Sequence, residues 1–337
     1  MRRGALRSFG LPAPDALIGI GVALVLAAVP LAGPGTYLLG FLFTIFMYGA
    51  LAGSWNIIGG YAGYLSFGHA AFFGLGAYTT ALLLFYFGWS PFLTLPIAGV
   101  LAALFAALVG YPCLRLRGPY FSLVTLILGL AMYSLTLNLP FTQGSSGLFL
   151  PFLRVDIYTS HVIFYEVMLG LLITVTAVLR QITRTKMGVG LTAIREDEDA
   201  AGTLGVDATR LKLQAFMLSA FLTGLVGGIY SYYKSYLDPS FVFATSISIT
   251  IALMALFGGR LAWYGPLVGA VVISIVNEML TTQAPPQTAR IVFGALLIIV
   301  IMFLPDGLIS IIQRRLPAFV LRQSKQPAAR DEIVGNR

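Results

Sequence analysis

Few side chains in this 337-residue chain can do chemistry: it has two histidines, one cysteine and 13 carboxylates. His69 stands three residues after Ser66 in YAGYLSFGHAAFFGLGAY, residues 61–78, a greasy stretch interrupted by glycines. An ionisable residue inside an apolar run is costly, and it tends to face a bundle interior or a wet cavity. Glu166, and Glu278 beside Asn277, are the carboxylates that an ion-driven transporter would need within a membrane; as helix-end or interhelical polar contacts they need no such role. Cys113 alone offers neither a disulfide nor a metal pair. His69 and His161 form no H-E-x-x-H pattern, and no nucleophile has a base beside it, so neither a catalytic residue nor a metal site is expected. The G-x-x-x-x-G-K-[ST] phosphate loop is also missing from the sequence, so the chain does not cradle ATP in that way.

The elements that hold these residues follow from composition. Hydrophobic residues make up 58% of the chain and charged ones 10%, against about 25% charged in a soluble domain; mean hydropathy is +0.88. A helix needs roughly 20 apolar residues to cross a hydrocarbon core. The apolar runs predict spans at 15–32, 37–58, 65–87, 92–111, 119–138, 161–180, 212–233, 241–258, 263–281 and 290–312. The expected fold is therefore all-α, a polytopic membrane bundle of about ten helices within a range of eight to ten. Lipid makes each helix satisfy its own backbone, and runs of this length exclude a barrel of short strands. Placing the N-terminus in the cytoplasm puts 18 of the 21 Lys and Arg residues inside, leaving Arg154, Lys234 and Arg290 outside. That asymmetry predicts both termini cytoplasmic. It also accounts for the net charge of +8 without a nucleic-acid partner. The start, MRRGALR followed by an apolar run, imitates a signal peptide with a cleavage point near Ala32; an uncleaved first helix is the expectation.

Connections are short, which predicts a single transmembrane domain over 1–337 with a tail at 313–337. Two loops are longer: 139–160 on the expected outer side, and 181–211 on the cytoplasmic side. The second contains a short amphipathic helix, with Arg195 to Asp199 charged, an Arg195–Asp199 pair in reach, and Leu191, Ile194, Ala201 and Leu204 apolar. Gly205 can end it in a left-handed conformation. Within 65–81, Ala70, Gly74, Ala77 and Ala81 fall on one helical face and permit close packing. Ser66, His69, Phe73, Gly76 and Thr80 fall beside them. Gly59, Gly60, Gly63 and Gly68 predict an unwound or re-entrant entry. The stretch either packs, with His69 bonded to a backbone carbonyl, or lines or gates a translocation route.

The spacing Asp199-Ala200-Ala201, three residues, Gly205 resembles the E-A-A, three residues, G core of the cytoplasmic coupling loop in permease subunits of ABC importers. Asp stands here for Glu, and no Leu-Pro pair follows. GYLSFGHAAFFGLGAYTTALL closely resembles the signature of the branched-chain amino acid ABC transporter permeases of the LivM and LivH type. Further blocks follow in the family's order: LRLRGPYFSLVTL at 114–126, GSSGL at 144–148, the segment 188–230, and LFGGRLAWYGPLVGA at 256–270. Together they cover most of the chain from about 50 to 310. Gln143 replaces a glycine common in that family, and so does Leu261.

The resemblance implies a LivM-like permease subunit of a bacterial ABC importer in the inner membrane, passing branched-chain or related amino acids delivered by an external solute-binding protein. It implies as partners a second, LivH-like permease and two ATPases, which would use the ATP and Mg while this chain binds no cofactor. Ile194, Arg195, Glu196, Asp199, Ala200, Ala201 and Gly205 become the coupling residues. Ser66, His69, Phe73 and Gly76 become the pathway or gate, and Ala70, Gly74, Ala77, Gly265 and Gly269 the packing positions. The same architecture in that family also carries urea, short amides and aromatic acids. An ion-gradient-driven secondary transporter is the competing class.

Overall fold

In a computed structural model, the described residues are 14–283 other than 152 and 154, together with 288, 291, 294, 295 and 307–309. The helices in chain order are α1 (Pro14–Ala28), α2 (Thr36–Asn56), α3 (His69–Phe87), α4 (Pro91–Cys113), α5 (Pro119–Asn138) and α6 (Ile157–Thr183). Then come α7 (Lys186–Glu196), α8 (Glu198–Thr203), α9 (Ala208–Lys234), α10 (Pro239–Val242), α11 (Thr245–Gly258) and α12 (Gly265–Gln283).

Eight spans among the described residues are long and apolar enough to cross a membrane. They are α2 with its continuation to Tyr61, α3 to α6, α9, α10–α11 taken together, and α12. The expected first span is present as α1 followed by a 3-10 turn, Val29–Ala32. The expected last span, 290–312, and the tail at 313–337 lie outside the described residues but for scattered positions.

The span expected at 65–87 begins later, at His69, because residues 62–68 are unwound. Ser66 is therefore not on the α3 face that it shared in the sequence pattern. The loop 181–211 also differs: its one expected helix is two, α7 and α8, broken at Asp197, whose φ of −160° and ψ of 110° are extended. Asp197 breaks the helix because its carboxylate caps the next one, accepting from the N–H groups of Asp199 and Ala200 at 2.9 Å. Asp156, Asp207 and Asp238 cap α6, α9 and α10 in the same way. Four of the chain's few carboxylates thus start helices.

At the centre, α9 packs against α3, α4 and α2. Glycines set the spacing: a Cβ on Gly76 would overlap the Gly224 carbonyl, and one on Gly227 the Phe73 carbonyl. The α11–α12 pair is closer still, since a Cβ on Gly269 would overlap the Met254 carbonyl and one on Gly265 the Gly259 carbonyl. Gly74 lies against the ring of Phe243. Ala70 and Ala77 are buried.

The turns segregate to two ends. One gathers residues 57–68, 114–118, 184–207 and 259–264. The opposite end holds the two-stranded ribbon β1 (Leu148–Phe149) and β2 (Tyr236–Leu237), which clips the long loop after α5 to the end of α9. In that loop Gln143 takes a φ of 62°, a left-handed conformation that suits the glycine it replaces.

Candidate functional site

The site is built around the break between α2 and α3. Ile57–Tyr61 winds as a π-helix, a form frequent at functional positions. Gly59 and Gly60 permit it, because a Cβ on either would strike the side chain of Trp55 or Asn56. The unwound residues after it need partners for their backbone groups, since buried backbone N–H and C=O groups are rarely left unpaired. Trp55 Nε1 donates to Ser66 O at 2.7 Å, Ser122 Oγ to Leu65 O at 2.7 Å, and Phe67 N to Thr125 Oγ1 at 3.1 Å. Tyr64 N donates back to Ile58 O at 3.1 Å. Helices α2 and α5 thus hold an extended segment between them.

His69 opens α3 and is fully buried. Its Nε2 lies 2.7 Å from Ser219 Oγ, and its Nδ1 3.1 Å from Ser66 Oγ. Ser219 spends its only proton on Ser54 O, at 2.6 Å. It must therefore accept from His69, which places the imidazole proton on Nε2 and leaves Nδ1 to accept from Ser66. The ring joins the unwound segment to α9 and, through Ser219, to α2. The expected contact with a backbone carbonyl is replaced by two hydroxyls. His69→Ala should leave the Ser66 hydroxyl proton without an acceptor, at about 1–3 kcal/mol; thermal unfolding in detergent should show a clear drop, and an unchanged midpoint would remove the ring from this role.

Below this joint sits a buried ion pair. Lys212, 1% exposed on α9, donates all three ammonium protons: to Glu198 Oε1 at 2.7 Å, Tyr64 OH at 2.9 Å and Leu114 O at 3.1 Å. Tyr64 in turn donates to Glu198 Oε2 at 2.5 Å. One cluster thereby fastens α8, the unwound segment, the end of α4 and α9. Burial pushes the Glu198 carboxyl up, but the hydrogen bonds from Lys212 and Tyr64 and the charge of Lys212 outweigh it, holding the group below its ordinary value. Burial, and then the hydrogen bond to Glu198, push the Tyr64 hydroxyl up. Because folded Glu198 binds its proton more weakly than free glutamate, its contribution is full above about pH 4.3 and is lost as pH falls through the lower folded value. Unfolding midpoints of the protein and of Glu198→Gln should therefore converge in acid and separate toward neutrality.

The loop makes two more attachments. Arg117, after α4, holds Asp199 through two bonds of 2.8 and 3.0 Å, and this pair lowers the Asp199 carboxyl. Arg195 lays its stem where a Cβ on Gly63 would stand, and the φ of 76° at Gly63 itself suits only glycine. Its guanidinium pairs with Glu196 at 2.5 Å and reaches Gly60 O at 3.5 Å. The Arg195–Asp199 pair expected from sequence does not form: each residue has a different partner.

The expected coupling residues divide into two faces. Ile194 and Ala201 are buried against the chain's own spans, as is Leu191, while Glu196, Asp199, Ala200 and Gly205 are exposed. Leu204 is 84% exposed. Gly205, at φ 85°, stops α8, with Val206 N bonded back to Ala201 O at 3.1 Å. Of the expected pathway residues, Ser66, His69 and Phe73 are buried, and Gly76 lies at the α3–α9 crossing. They form the joint inside the chain and line no open surface of it. Sequence reasoning missed Tyr64, Ser219, Ser54 and Arg117, and placed Lys212 only as a cytoplasmic basic residue at the start of the 212–233 span. The available signal was a lysine flanked by Leu211 and Leu213 five residues after the Asp207 cap.

A polytopic helical protein in which the link between two spans is unwound, bonded internally and tied to a loop at the same end, has the layout of a membrane transport subunit. The chain belongs to the family described as branched-chain amino acid transport system / permease component, which residues 37–301 match. It is 31% identical to the high-affinity branched-chain amino acid transport system permease protein LivM of Escherichia coli (strain K12), over 77% of this chain and 67% of that protein. To LivM of Salmonella typhimurium it is 30% identical over the same shares. The probable LivH permease of Methanocaldococcus jannaschii is 24% identical, over 68% of this chain and 76% of that protein. No solved structure matches the chain.

Proposed function

We propose that this chain is the LivM-like half of an ATP-driven importer of branched-chain amino acids in a bacterial inner membrane. Its partners are a LivH-like permease, two ATPase subunits and an external solute-binding protein. Identity of 31% to LivM of Escherichia coli, against 22% to LivH of the same organism, supports the assignment of the half. Because the sequence has no phosphate loop, ATP and Mg belong to the ATPases. The 18 to 3 distribution of basic residues supports cytoplasmic termini, with the whole chain as one permease domain.

The observation that carries the mechanism is the loop with two faces. The exposed face of Glu196, Asp199, Ala200, Leu204 and Gly205 is the docking surface for an ATPase. The buried face, with Glu198, Ile194 and Ala201, transmits its motion. Displacement of α8 pulls on Lys212 and so on α9, and on Tyr64 and Arg195 and so on the unwound segment. Ser66, His69, Phe73 and Gly76 then move as a packed joint that gates the route between the two permeases.

Affinity purification in mild detergent, followed by mass spectrometry and an ATPase assay, tests this reading. A second permease and two ATPases should co-purify, with hydrolysis stimulated by one branched-chain amino acid binding protein. Recovery of the chain alone, with uptake driven by an ion gradient, overturns it; stimulation by a urea, amide or aromatic-acid binding protein overturns the substrate. Leu204→Glu should cut ATPase recovery at least tenfold while membrane insertion continues, since a charge replaces an exposed apolar contact. Full recovery would move the docking surface elsewhere.

A further inference from the structure

A second polar cluster lies at the opposite end of the bundle, between α2, α11 and α12. It surrounds a cavity of about 170 Å³, whose polar lining is Thr44, Tyr48, Thr250, Ser274, Asn277 and Glu278. Helical spacing gathers it: Thr44 and Tyr48 are four apart on α2, and Ser274 and Glu278 four apart on α12. Phe41, Met254 and Ile273 supply an apolar wall. At ~30 Å³ per water, the space holds about five or six waters, the size of a small organic molecule and more than one bare ion needs.

Two observations point to a ligand. The Ser274 hydroxyl is buried, at 6% exposure, and has no hydrogen-bond partner among the described residues. A buried polar atom is rarely left unpaired unless something else pairs with it. Glu278 is oriented but not neutralised: Oε1 accepts from Tyr37 OH at 2.5 Å, and no described cation pairs with the carboxylate. Glu278 stands half-buried within the α12 span and lines the cavity, and carboxylates so placed mark substrate routes.

We infer that this cavity is a transient binding station for a zwitterionic amino acid, with Glu278 taking the ammonium group and Ser274, with Asn277, donating to the carboxylate. The inference rests on the amino-acid permease reading above and adds to it the residues that meet the substrate in the membrane. The chemistry is complementary throughout. An ammonium has three donors and needs an acceptor; a carboxylate needs donors, which a hydroxyl and an amide supply. The aliphatic side chain lies on Phe41, Met254 and Ile273. Glu278 lies five residues from the end of α12, so the station is near the mouth opposite the loop of α7 and α8.

The test uses the purified permease pair in detergent, with leucine and 4-methylpentanoate, which has leucine's side chain and carboxylate but no ammonium. Ligand binding to the folded state raises the unfolding midpoint. Millimolar leucine should raise it, 4-methylpentanoate should not, and Glu278→Gln should abolish the leucine shift. Ser274→Ala should weaken the shift several-fold without lowering the unliganded midpoint, because it removes a hydroxyl that has no partner among the described residues. In proteoliposomes of the complete transporter, Glu278→Gln should lower ATP-driven leucine uptake at least tenfold. No leucine shift in the unmodified protein, equal shifts from both compounds, or an unchanged shift in Glu278→Gln each overturns the station. ATP-driven leucine uptake by the unmodified transporter is a separate readout; its absence would count against the permease reading itself.

Discussion

Glu198→Ala should destabilise the folded protein by about 3–5 kcal/mol, the cost of leaving one partner of a buried ion pair alone. Lys212 is almost fully buried, and removal of the carboxylate leaves its ammonium with only the Tyr64 hydroxyl and the Leu114 carbonyl. The double variant Glu198→Leu, Lys212→Met should recover most of that loss, because apolar pairs of similar size often replace buried ion pairs at little cost. Transport should behave differently: both variants cut the tie from α8 to α9, so both should lose uptake although the double variant regains stability. Unfolding midpoints and uptake, measured on the same preparations, separate the two effects. Wild-type uptake in the double variant would show that α8 acts on the spans by another connection.

Gly269→Val should prevent α11 and α12 from pairing. Its Cβ would overlap the Met254 carbonyl and lie 2.9 Å from Gly258 N, and backbone, unlike a side chain, cannot swing aside. Gly258 and Gly265 approach the facing backbone equally closely, so relief at one position requires the whole crossing to open. The expected cost exceeds the 1–3 kcal/mol typical of overpacking. The assay is the yield of monodisperse protein after detergent extraction. Gly170→Ala is the control: nothing lies within 4 Å of an added Cβ there, and helix propensity favours alanine by about 1 kcal/mol. Equal yields from the two variants would mean that the α11–α12 crossing adapts.

Much of the architecture was legible because the membrane imposes a one-dimensional rule. A run of apolar residues long enough to cross must be a helix, so the spans at 119–138 and 241–258 emerge from hydropathy almost to the residue. The glycines at 59, 60 and 63 also carried a local meaning, because an unwound entry needs positions without side chains. Legibility failed where a residue's place depends on a distant partner. Asp199 was read against Arg195, its neighbour in sequence, but pairs with Arg117, 82 residues away. Lys212 was read only as a basic residue at the cytoplasmic end of its span, because nothing local shows that Glu198 and Tyr64 surround it.

By itself, then, the sequence determined the helical membrane class, most span limits, the break before α3 and, through its ordered motifs, the family. These depend on hydropathy, chain length and local conformational freedom, each a property of contiguous residues. Only the tertiary structure decided that His69 is enclosed between two serines, that Ala201 turns inward while Leu204 turns out, and that Ser274 and Glu278 share a cavity with α2. Those outcomes depend on which helices meet and at what angle. Backbones that approach through Gly76, Gly224 and Gly269 set those meetings, and no local pattern encodes them.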